Sequence, residues 1–136
     1  MPKGKLVMPQ HLAEHIEIEP YRGVVNVMFA DAMIASTRDA LILREEGRAP
    51  AFYIPFSDIY FDFLTRSTTT TESATGDTAT YWNVTAKGEA AKDIMWAYEA
   101  PPENMRALLA HGAFDPEKVS IEAAPADDPK EEEHRP

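Results

Sequence analysis

The chain has 136 residues, enough to bury one core without staples, carries a formal net charge of −10 and contains no cysteine. The missing thiols exclude disulfides, thiolate zinc sites, Fe–S clusters and a cysteine nucleophile. The acidic balance, with no stripe of clustered Lys and Arg, argues against nucleic-acid phosphates as a partner.

Residues 1–14 carry two prolines and no periodicity, and they are expected to form a flexible N-terminal arm. The arm lacks the long apolar stretch of a signal peptide, and no later segment reaches the length of a bilayer span. The expectation is a cytoplasmic protein without a membrane partner. His11 and His15 are spaced i, i+4, but no third ligand stands nearby, so no metal site is assigned and no cofactor is expected.

The folded domain is read as residues 15–123. Ile16 and Ile18 alternate with Glu17 and Glu19, and Val25, Val27 and Phe29 share one face, which are strand signals. Asp31-Ala32 is read as a turn into a strand over Met33–Ser36. Leu41–Glu45 and Ala51–Ile54 flank a Gly- and Pro-containing linker that suits a hairpin, and Pro55 closes the second strand.

Ile59–Leu64 alternates apolar Ile59, Phe61 and Phe63 with a mixed face, predicting a further strand. The hydroxyl run Ser67–Thr71 leads through a polar loop to a strand over Tyr81–Ala86, and Lys87-Gly88-Glu89 turns the chain. Ile94, Trp96 and Tyr98 are then placed on one face of a strand that Pro101-Pro102 ends.

A helix is predicted from Pro102 to His111. Met105, Leu108 and Leu109 form its apolar stripe, Gly112 its left-handed cap, and His111 sits at its negative end. A last strand follows over Val119–Glu122. From there the composition turns to Pro, Ala and Glu, and residues 124–136 are expected to be a disordered acidic tail. Strands followed by one short C-terminal helix, rather than alternating βαβ units, define a mainly β, antiparallel domain.

Three groups of side chains are candidates for a site. Tyr53, Tyr81, Trp82, Trp96 and Tyr98 present flat apolar faces with polar edges, suited to a pocket for a small molecule, although alternating aromatics also build ordinary β cores. Glu46 and Asp58, with Arg38 near them in sequence, offer an acid–base pair or a cation site; ion pairs and turn caps explain them more simply. Thr71, at the end of the hydroxyl run, offers a hydroxyl to orient a substrate. Catalytic residues are not assigned.

The segments Ala35–Gly47, Phe52-Tyr53-Ile54-Pro55 with Asp58-Ile59, Ala79–Val84, Trp96-Ala97-Tyr98 with Pro101-Pro102, and His111–Phe114 followed by Val119 occur in an order and spacing that resembles the domain of unknown function 427 family. The resemblance implies an antiparallel β-tent, or Mss4-like, domain in which two sheets meet like the sides of a tent. Some catalogues file the family under a nucleotidyltransferase-like heading, but this chain shows no Gly-Ser plus paired-Asp constellation. Many members carry a Thr-x-Cys-Pro-x-Lys-Gly loop. Here the counterpart is Thr71-Glu72-Ser73-Ala74-Thr75-Gly76-Asp77, where only Thr71 survives, so thiol or amine chemistry does not carry over.

Three functional readings follow. The first is a small-molecule-binding domain with an aromatic-lined pocket between its sheets. The second is a hydrolase or transferase using Glu46 or Asp58 as base. The third is an interaction module, including a homodimer through an exposed strand edge.

Overall fold

A computed structural model describes residues 16–72 and 78–126. The arm, His11 and His15, most of the loop aligned with the family's Cys-Pro-x-Lys motif, and nearly all of the acidic tail lie outside the described residues.

The described chain forms ten strands: β1 Ile16–Pro20, β2 Gly23–Phe29, β3 Ala32–Thr37, β4 Leu41–Glu45, β5 Ala51–Pro55, β6 Leu64–Glu72, β7 Thr78–Ala86, β8 Glu89–Tyr98, β9 His111–Phe114 and β10 Ser120–Pro125. They build a seven-stranded sheet in the order β1-β4-β5-β9-β8-β7-β6 and a three-stranded sheet in the order β10-β2-β3. All registered pairs are antiparallel. The mainly β, two-sheet reading therefore holds.

The core lies between the sheets. Val25, Val27 and Ile34 of the small sheet meet Ile54, Trp82, Val84, Ile94, Met95 and Phe114 of the large one. The alternation of Val25 and Val27 puts them on this face, where both are fully buried. Burying a Val or Ile side chain contributes roughly 1.5–3 kcal/mol, so this layer dominates the fold's stability.

Three of the strand-to-strand hairpin turns use left-handed backbone. Ala30 and Asp31 (φ 50° and 68°) link β2 to β3, and Lys87 and Gly88 (φ 55° and 78°) link β7 to β8, each pair being the two-residue loop of a tight hairpin. The first turn thus falls one residue earlier than Asp31-Ala32. In the β4–β5 connection the Arg48 amide donates to the Glu45 carbonyl at 3.0 Å, and Gly47 takes φ 84° at the position where a type II turn requires it.

Two predicted elements differ. Ile59–Leu64 is not a strand: short 3-10 turns over Phe56–Asp58 and Phe61–Phe63 flank Ile59, which makes an isolated bridge to Ala35. Burial still rewards the apolar residues, because Phe56, Phe61 and Phe63 pack against the core from these turns.

The predicted helix is a six-residue 3-10 segment, Glu103–Leu108, interrupted at Met105 (φ −123°). With three residues per turn, Met105 and Leu108 align while Leu109 is carried off the stripe and stays exposed. Ala110 (φ 62°), not Gly112, supplies the left-handed residue, and Gly112 and His111 belong to β9.

β9 holds the large sheet together. It registers with β5 at only two pairs, Ile54 with Gly112 and Pro55 with His111, and with β8 at only two, Met95 with Phe114 and Trp96 with Ala113. The β1-β4-β5 half and the β8-β7-β6 half are thus joined by one four-residue strand. Beyond Phe114 the chain leaves, and β5 and β8 run on without it.

Candidate functional site

The large sheet's second face carries the aromatic side chains. Tyr81 registers with Trp96, and Trp96 with Ala113; Tyr53 follows Ala113 across the β9–β5 ladder and registers with Leu41. This row crosses five strands on the face opposite the inter-sheet core. A second cluster forms there from Leu43, Tyr53, Leu108 and Ala113, with Ile16, Ile18, Leu41, Trp96, Tyr98 and Met105 packed around it. The 3-10 segment covers part of the face through Met105 and Leu108.

The polar edges of the rings are linked. The Trp96 indole Nε1–H donates to the Tyr53 hydroxyl at 3.1 Å. Tyr53 and Tyr98 stack with centroids 6.5 Å apart and ring planes 23° from parallel, and Tyr81 tilts against Trp96 at 6.4 Å. The Thr71 and Tyr81 hydroxyls are 3.2 Å apart. Offset and tilted ring pairs at these separations add about 0.5–1.5 kcal/mol beyond area burial.

Burial pushes the Tyr53 phenol far above its ordinary value, and the neighbouring Tyr98 and Glu45 act in the same direction against the Trp96 hydrogen bond. Burial also raises Tyr98; there the hydrogen bond from Tyr53 opposes the shift, and Glu45 and Tyr81 reinforce it. Both phenols therefore stay protonated at neutral pH.

These rings line a groove of about 940 Å³. Leu43, Glu45 and Arg48 form one side, Thr71, Ala79 and Tyr81 another, and the groove runs into the split between β5 and β8 past Asp93, Phe114 and Lys118. Asp93 adopts φ 53° where the β7–β8 register slips: Trp82 pairs with Met95 but Val84 with Ala91, so Asn83 faces three residues. The Asn83 side chain accepts from the Asp93 amide at 2.8 Å, and Thr69 donates to the Asp93 carboxylate at 2.9 Å. Hydrogen bonding from Ser67 is the largest influence holding that carboxyl below its usual range, with Thr69, Lys118 and Lys92 adding to it against desolvation.

The structure brings together Tyr53, Thr71, Tyr81, Trp96 and Tyr98 of the residues singled out from sequence. Trp82 points the other way. As the strand neighbour of Tyr81 it faces the core, where Phe56 and Phe61 pack edge-on at 6.0 and 6.2 Å and the Arg66 guanidinium lies 5.5 Å over its ring. Ile94 likewise joins the inter-sheet core rather than Trp96 and Tyr98.

Glu46, Asp58 and Arg38 do not form a site. Asp58 accepts a hydrogen bond from buried Thr37 at 2.6 Å, which in turn caps the Asp39 amide at 2.9 Å, so its carboxylate ties β3 to the turn after β5. Glu46 sits in the turn before β5. The five residues of β5 separate the two by on the order of 15 Å at strand rise, too far for a shared proton. Arg38 is exposed in the β3–β4 link.

Sequence reading missed Leu43, Glu45, Arg48 and Asp93 as groove residues. Alternation along β4 from Leu41 and Leu43 is the signal that would have selected Glu45 over Glu46. Among the described residues, no group of three or more His, Asp or Glu side chains is placed to hold a metal ion, and no helix is long and apolar enough to cross a membrane.

The model of the family described as a domain of unknown function (DUF427) matches residues 17–124. That span runs from β1 into β10 and includes every residue of the groove. The chain belongs to this family. No curated protein matches it.

Proposed function

We propose that the protein binds a small molecule in the aromatic groove on the outer face of its seven-stranded sheet. The observation that carries this reading is the convergence of Tyr53, Tyr81, Trp96 and Tyr98 around a single groove of about 940 Å³, within the range of roughly 300–1,000 Å³ occupied by ligand sites. Their polar edges are fixed by mutual hydrogen bonds, so a ligand meets oriented surfaces at little entropic cost. The aromatic part of the groove belongs to the face away from the small sheet, and at the split between β5 and β8 the groove continues past Phe114 to Ile121 of β10.

The tent-like arrangement of two sheets is part of the same proposal, supported by the seven- and three-stranded antiparallel sheets that share one core. A screen of small metabolites by thermal shift tests the binding reading. Ligands are expected to raise Tm in the wild type and lose that effect in Trp96→Phe and Tyr98→Leu, while Arg38→Ala keeps it. A screen without hits, or hits indifferent to the groove variants, sinks the proposal.

A further inference from the structure

We infer that the groove selects a free small organic cation, an alkylated ammonium compound, held over the exposed ring faces and against Glu45. This inference rests on the small-molecule reading of the same groove and adds the charge of the ligand.

Three of the four rings, Tyr81, Trp96 and Tyr98, are only partly buried and present π surface to the groove. Such faces carry the negative end of the ring quadrupole and attract cations, indole most strongly. Since Tyr53 and Tyr98 remain protonated, they act as neutral rings and hydroxyls.

The charges beside the rings have the matching sign. Glu45 lies half-buried on the same face of β4 as Leu41 and Leu43, close enough to act electrostatically on both Tyr53 and Tyr98. Three carboxylates, Glu45, Asp93 and Asp115, line the groove against two bases. Lys118 is already occupied, its Nζ donating to the Lys92 carbonyl at 3.0 Å and lying 4.0 Å from Asp115. Arg48 is exposed in the turn at the rim; it also acts on Tyr98, more weakly than Glu45 and against it. A bound anion would meet Glu45 and the ring faces together, and the chain's net charge of −10 repels anions and draws cations at long range.

The probes are choline and its uncharged isostere 3,3-dimethylbutan-1-ol, titrated into the full chain. The indole N–H resonances of Trp96 and Trp82 serve as reporter and internal control, since Trp82 lies on the opposite face. Choline is expected to shift the Trp96 resonance saturably and leave Trp82 in place, with the alcohol binding about threefold or more weaker. Glu45→Gln is expected to weaken choline and leave the alcohol unchanged.

Equal binding of alcohol and choline overturns the cation inference but leaves the groove as a binding site. No Trp96 response to either probe also overturns it; hits of another charge class in the metabolite screen then preserve the binding reading, and a screen empty of all classes removes both. A peptide bearing trimethyllysine that binds more tightly than choline overturns the free small molecule as the source.

Discussion

Tyr53→Phe keeps the ring and removes one oxygen, the acceptor of the Trp96 indole N–H at 3.1 Å. Such a bond contributes about 1 kcal/mol net, so the variant is expected to lose about 1 kcal/mol. For a domain of this size that corresponds to a fall of about 4 °C in Tm. Trp96→Phe removes the same indole bond together with part of the ring. Because the bond is lost only once in the double variant, the two changes should be sub-additive by about 1 kcal/mol. Urea unfolding followed by far-UV circular dichroism avoids confusing the loss of an indole with the loss of structure. Additivity within about 0.3 kcal/mol would show that the two side chains are not coupled and would refute the ring network as described.

The raised phenols make stability depend on alkaline pH. In the unfolded chain both tyrosines ionise near pH 10, whereas in the fold Tyr53 and Tyr98 hold their protons beyond that. The stabilisation is complete below about pH 10 and is lost as pH rises further, since the unfolded state then binds fewer protons; Tyr53→Phe should flatten this decline in urea titrations between about pH 9 and 11. Asp93 acts with the opposite sign: its lowered value gives stability above about pH 4 that disappears on acidification, and Asp93→Asn should blunt the acid limb of the same measurement. Gly112→Ala is expected to destabilise, because the new Cβ would stand 2.6 Å from Sδ of fully buried Met95; an unchanged urea midpoint would mean that Met95 moves aside freely. Ala30→Asn should stabilise by about 0.5 kcal/mol, since asparagine tolerates the φ of 50° that alanine holds there, and a lower Tm would argue against that turn.

Much of the fold was legible where burial alternates. Val25 and Val27 mark β2, and the Gly- and Pro-containing link between Leu41–Glu45 and Ala51–Ile54 marks the β4–β5 hairpin, because period-two patterns report directly on a half-buried strand. The same logic misled at Ile59–Leu64, where 3-10 turns bury Phe61 and Phe63 with a strand-like spacing, and at Pro102–His111, where Met105 and Leu108 satisfy an α-helical stripe and a 3-10 one alike. For the site, residue type was informative and facing was not. Tyr81 and Trp82, like Glu45 and Glu46, are neighbours of which only one reaches the groove, and the choice depends on pairing registers between strands distant in sequence, such as Ile54 with Gly112. The Asp93 bulge adds a local reversal that no composition signal announces.

The two short ladders of β9 also set when the groove can exist during synthesis. β5 is complete by Pro55 and β8 by Tyr98, yet the strand that joins them spans His111–Phe114, so a nascent chain holds two separate half-sheets until more than a hundred residues have emerged. Until then, the facing edges of β5 and β8 expose unpaired amides and carbonyls, the template for pairing with another chain. A chain stopped at Ala110 would keep those edges open permanently. The same four residues that close the sheet thus remove two open borders, so their loss should appear first as aggregation during expression.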